Sequence, residues 1–162
     1  MTFSPRMVCA LVLIASPLAI AGAASAHSFK KGDIVAGHPW TRATPGGATV
    51  GAGYIKITNN GKTADRLTGG TMDGASVEVH EMKMDGGVMS MRQLKDGIEI
   101  QPGATVELKP GGNHLMFIGL KKPIAVGPDQ KGTLSFEKAG SLEVEYRIEP
   151  IGATESHDHS KH

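Results

Sequence analysis

Two histidines and several methionines between positions 80 and 116 are the residues of this chain best suited to chemistry. They occur as His80-Glu81-Met82-Lys83-Met84, Met89-Ser90-Met91 and His114-Leu115-Met116. Imidazole nitrogens and thioether sulfurs make a poor cage for Mg²⁺ or Ca²⁺, which want oxygen. They suit Cu(I), which is soft and accepts low coordination numbers. The cluster therefore points to a copper-binding protein.

Strand geometry turns the list into an arrangement. Asp85-Gly86 is a favoured two-residue type I′ turn, and using it as the loop sets Met84 against Gly87. His80 then lies directly opposite Met91 and Met82 opposite Met89. The two-residue alternation of a strand puts His80, Met82, Met84, Met89 and Met91 on one face of the hairpin. His114-Leu115-Met116 has the same spacing, so His114 and Met116 share a face of their own strand. Brought beside the hairpin, this segment completes two nitrogens and two sulfurs: His80, Met91, His114 and Met116, a set that can hold Cu(I) without thiolate. Methionine in strands commonly fills irregular gaps in a core, and that reading suffices for Met82, Met84 and Met89 taken singly. Two His-x-Met units facing a further methionine are harder to explain by packing.

The elements that must position these residues are short, alternating segments broken by glycine, proline and asparagine. Strands are expected over 33–35, 49–58, 66–70, 76–84, 88–94, 105–108, 114–120, 132–137 and 142–148, with no convincing amphipathic helix. Such a run of short strands predicts an all-β single domain, an antiparallel Greek-key β-sandwich or barrel, with Trp40 and Tyr54 as the largest core anchors.

The N-terminus carries Arg6, an apolar run from about Val8 to Ile20, and small residues ending in Ala24-Ser25-Ala26. This is the layout of a cleaved secretory signal over residues 1–26. Arg6-Met7-Val8, ahead of Cys9, does not resemble a lipid-attachment box. Removing 26 residues from the chain of 162 leaves 136, of which 27–150 make the domain and 151–162 a flexible, His-rich tail. The mature chain has no cysteine, which excludes a disulfide framework, blue-copper electron transfer and thiol exchange. Without Arg6 the 17 basic residues become 16, equal to the 16 acidic ones, so no nucleic acid or anionic membrane is called for. No segment after the signal is long or apolar enough to span a membrane. In the tail, His157, His159 and His162 concentrate three imidazoles in six residues, a composition able to capture Cu(II) or Zn²⁺. A free amine at His27 would chelate Cu(II), with no second histidine assigned to complete it, and His38 reads as structural or solvated.

The chain resembles the PCuAC family of periplasmic copper chaperones, whose motif is His, ten residues, Met, about twenty-one residues, then His-x-Met. Here ten residues separate His80 from Met91 and twenty-two separate Met91 from His114, with Met116 closing the motif. The likeness extends to Trp40-Thr41-Arg42, Gly51-Ala52-Gly53-Tyr54, Asn59-Asn60-Gly61 and Leu108 to Met116. It implies a cupredoxin-like β-barrel in the periplasm that carries Cu(I) to the binuclear centre of cytochrome c oxidase. The partner would be oxidase subunit II or another copper chaperone. It also implies His80, Met91, His114 and Met116 as ligands, with Met82 an alternate during transfer. Nothing in the sequence calls for catalysis, and a monomer is expected. The alternatives are copper storage or detoxification, an oxidative copper enzyme built on His27, and a β-sandwich interaction module without metal.

Overall fold

A computed structural model describes residues 28–156. The expected signal peptide, Cys9, His27, and the tail histidines His157, His159 and His162 lie outside the described residues. Eleven strands follow in order: β1 (Ser28–Lys31), β2 (Ile34–Arg42), β3 (Val50–Asn59), β4 (Asp65–Met72), β5 (Ala75–Asp85), β6 (Val88–Gln93), β7 (Ile98–Ile100), β8 (Thr105–Leu108), β9 (His114–Ile118), β10 (Gln130–Phe136) and β11 (Gly140–Glu149). No helix occurs among the described residues.

Neighbouring strands run β2-β11-β10-β4-β5-β9-β3, and the pairing of β2 with β3 closes these seven into a barrel. β1, β6, β7 and β8 flank it by pairing with β2, β5, β4 and β3. The neighbours β11–β2, β10–β4 and β5–β9 are distant in sequence, which is the crossing pattern of a Greek key rather than a simple meander. The all-β barrel expected from the sequence is thus the architecture found. The two elements the sequence did not suggest, β1 and β7, are four- and three-residue flanking strands.

Alternation explains why each strand sits as it does. Ala75, Val77 and Val79 on β5, Leu115 and Phe117 on β9, and Leu142, Val144, Tyr146 and Ile148 on β11 all turn into the barrel. Phe117 and Tyr146 meet edge to face, with centroids 5.2 Å apart, an arrangement that contributes about 1 kcal/mol beyond the area it buries. Gly53 is required beside them, because a Cβ there would lie 2.4 Å from the Phe117 ring. Trp40 and Tyr54 are buried, but they do not anchor this core. They stack on each other at 4.4 Å outside the main cluster, since Trp40 faces Tyr54 across β2 and β3. Phe117 and Tyr146 take the place expected for them.

Candidate metal centre

The inward residues of β5 and β9 leave the alternate positions on the opposite face, and these carry the histidines and methionines. β5 places Glu78, His80, Met82 and Met84 there, and β9 places His114 and Met116. The two strands are antiparallel neighbours, with His80 directly facing His114 and Glu78 facing Met116. The imidazole rings are 6.0 Å apart, centroid to centroid, and tilted by 35°. On the far side of β9, β3 sets Ala52 against Met116, a side chain too short to cover the thioether.

The hydrogen bonds fix which nitrogen of each ring is free. The His114 Nδ1–H donates to the Gly112 carbonyl at 3.0 Å, which leaves the lone pair on Nε2. The His80 Nε2–H donates to Glu78 Oε2 at 2.9 Å, which leaves the lone pair on Nδ1. That Nδ1 is buried and meets no partner among the described residues. A buried polar nitrogen without a partner is costly, so its lone pair has something to gain from a cation. A carboxylate behind a histidine, holding its tautomer and orientation, is the usual support of a metal-ligating imidazole. Glu78 was not singled out in the sequence. Its signal was available, as a carboxylate two residues before His80 and therefore on the same strand face.

The hairpin register differs from the sequence expectation. Met91 faces Met82, not His80, and Met89 faces Met84; His80 faces Gln93. The loop is Gly86-Gly87, with φ of 56° and 83°, in place of Asp85-Gly86. A type I′ turn requires positive φ at both central residues, and two glycines meet that without the steric penalty Asp85 would carry. The slip is of two residues, so every methionine stays on the expected face. Met91 thereby becomes a diagonal neighbour of His80, at roughly 7–8 Å. His80 is the hub: His114 lies directly across, Met82 follows it on β5, and Met91 and Met116 occupy the diagonals on either side. The structure brings the two histidines together. It distributes the sulfurs around them, with Met82 placed as centrally as Met91. His38 is exposed in β2, at φ 49° where the register shifts, away from these strands.

Among the described residues, no three His, Cys, Asp or Glu side chains gather to hold a metal ion. Two imidazole nitrogens with thioether sulfurs suit a soft monovalent ion better than a hard divalent one. Met116 is half-buried and Met91 is 49% exposed, so one sulfur stands at the barrel wall and one in solvent.

Residues 34–148 match the LpqE-like family, described as "Putative lipoprotein LpqE-like". A relative from Leifsonia xyli subsp. xyli (strain CTCB07), "Putative lipoprotein Lxx21020", is 32% identical over 120 residues, which cover 73% of this chain and 71% of the relative. Among solved structures, the copper-bound PCuAC domain from PmoF2 superposes with a TM-score of 0.64 at 30% identity, covering 76% of this chain and 98% of that domain. The apo PmoF2 PCuAC domain gives 0.65 at 28% identity, covering 80% of this chain and 100% of that domain. The solution structure of CuI-DR1885 from Deinococcus radiodurans shares the fold, with a TM-score of 0.57 at 24% identity over 78% of this chain and 83% of that one.

Proposed function

The chain belongs to the LpqE-like family, and from that premise we propose that it is a Cu(I) carrier whose ion is cargo, passed on and not turned over. The observation that carries the proposal is the facing pair His80 and His114. Each ring has one nitrogen committed to a protein acceptor and the other left as a donor. Met116 and Met91, with Met82 in exchange, supply the sulfur. Copper in the similar PmoF2 domain supports this reading.

A carrier needs a site that grips and releases. Neutral imidazole and thioether hold Cu(I) without losing a proton, so release does not wait on reprotonation. One exposed sulfur, Met91, offers a receiving protein a place to displace a ligand while the histidines still hold the ion. Delivery to the binuclear copper centre of cytochrome c oxidase, through subunit II or another chaperone, is the reading the PCuAC resemblance favours. The compartment is the periplasm, reached by cleavage after Ala26, and the working form is a monomer. His157, His159 and His162 in the tail would gather Cu(II). Among the described residues, no helix is long and apolar enough to cross a membrane.

The direct test loads the protein with one equivalent of Cu(I) and mixes it with the soluble copper domain of oxidase subunit II, following both by NMR. Movement of copper to the acceptor, with His114 and Met116 signals returning to their apo positions, is the expected result. Retention of copper despite a tighter acceptor counts against delivery to that partner.

A further inference from the structure

Beyond His80 the β5–β6 hairpin leaves the barrel. β9 accompanies β5 only as far as the pair His80 and His114, and β6 pairs with β5 alone. The remainder is a two-stranded ribbon with two unlike faces. On one, Met82 faces Met91 and Met84 faces Met89. On the other, Glu81 faces Arg92, whose Nε–H donates to Glu81 Oε2 at 2.8 Å, and Lys83 faces Ser90.

Packing does not account for the methionine face. Met84, Met89 and Met91 are 61%, 51% and 49% exposed, and no second layer among the described residues buries them. An exposed strand is better stabilised by β-branched or aromatic residues than by methionine. What methionine brings, and Leu or Val does not, is a soft sulfur donor needing no deprotonation. Two direct cross-strand pairs on successive rungs set four such donors side by side, about 5 Å apart across each rung at Cβ.

We infer that Met84 and Met89, backed by the rung of Met82 and Met91, form a second, outer site for a soft monovalent cation of the Cu(I) class. It lies on the path by which the ion reaches or leaves His80 and His114. The inner end of that path rests on the function proposed above; binding at Met84 and Met89 does not. An ion at the ribbon moves inward by exchanging one thioether at a time, from the outer rung to the inner and then to imidazole, and is never without a ligand.

The experiment uses the full chain with isotopically labelled methionine methyl groups, titrated anaerobically with Cu(I) and in parallel with redox-inert Ag(I). Met72, fully buried in the core, is the fold control and stays fixed. The expected result is that the Met84 and Met89 methyl signals shift with added ion in the wild type and equally in His114→Ala. In the double variant Met84→Leu with Met89→Leu, affinity for the outer ion falls at least about tenfold, or 1.4 kcal/mol, while the Met116 response persists. Met84 and Met89 signals that stay fixed while Met116 responds overturn the outer site and leave the inner one standing. A response at Met84 and Met89 without one at Met116 does the reverse. Shifts that follow protein concentration or added acceptor, and not the ion, make the methionine face a protein-docking surface and also overturn the proposal.

Discussion

His80 stands directly opposite His114 across β5 and β9, and each ring spends one nitrogen on the protein, Glu78 for the first and the Gly112 carbonyl for the second. Replacing either ring by alanine removes half of the nitrogen donors and leaves Glu78 or Gly112 without its partner. Cu(I) affinity, measured by competition with a chromophoric chelator, is expected to fall on the order of 100-fold, about 2.7 kcal/mol. Both variants are expected to keep the apo fold, because both rings stand on the strand face opposite the inward residues of β5 and β9. Unchanged affinity in both would remove the pair from the coordination sphere.

Glu78 acts through His80 and has a separate signature. Alanine there frees the ring to swap tautomers, and loss of such a carboxylate partner typically costs 10–100-fold in metal affinity. Glu78→Gln keeps an acceptor oxygen and should recover part of that loss. Nitrogen NMR of the His80 side chain then shows Nε2 protonated in the wild type and in Glu78→Gln, and a mixture in Glu78→Ala. Equal affinity for all three proteins contradicts a positioning role.

The sequence made one half of this site readable and concealed the other. Period-two alternation in 76–84 and 114–120 assigned each His and Met to a face without reference to any other strand. The adjacency of β5 and β9 could not be read, because they are separated in sequence by β6, β7 and β8 and a non-local pairing leaves no local mark. The hairpin register was decided by residue 85 or 87 entering the turn, and Asp-Gly and Gly-Gly are both acceptable there by type. The error of two residues exchanged Met91's partner from His80 to Met82 and left the face unchanged. The barrel itself was legible from turn spacing, whereas the core anchors were not: Trp40 and Tyr54 are large, but which side of β2 and β3 faces inward depends on the bulge between Gly37 and Trp40.

That turn makes its own prediction. Gly86 and Gly87 both have positive φ, where a side chain other than Asn or Asp costs about 1–2 kcal/mol. Gly86→Ala with Gly87→Ala should loosen the ribbon and its rungs, seen as faster amide exchange from residues 82–91, while exchange in β11 is unaffected. Gly86→Asn, compatible with a type I′ turn, should behave as wild type. Equal exchange in all three would mean that some other contact sets the register.

Gly53 tests how the barrel supports the centre. It faces Leu115 across β3 and β9, between the positions of His114 and Met116, and an alanine methyl would press on the Phe117 ring in the core. Phe117 is fully buried and has nowhere to retreat, so Gly53→Ala is expected to cost 1–3 kcal/mol, roughly the usual penalty of overpacking. Denaturant unfolding should show a lower midpoint with an unchanged slope. A wild-type midpoint would show that β3 can shift away from β9.

The tyrosines set the alkaline limit. Burial raises the Tyr54 hydroxyl above its ordinary value of 10.0, and Arg42, whose guanidinium lies 5.4 Å from the ring centroid, pulls it part of the way back. Tyr146, wholly buried with no partner for its hydroxyl among the described residues, is raised by burial. A phenol that keeps its proton more firmly folded than unfolded contributes stability that is fully present below the unfolded value of 10.0 and is lost as pH rises through the folded one. Stability should therefore decline above that pH, and Tyr146→Phe should blunt the decline. Arg42→Ala removes the cation that lowers Tyr54, so the phenolate absorbance of Tyr54 should appear at higher pH than in the wild type. A shift to lower pH would mean that losing Arg42 opens the ring to water, making its cover of Tyr54 more important than its charge.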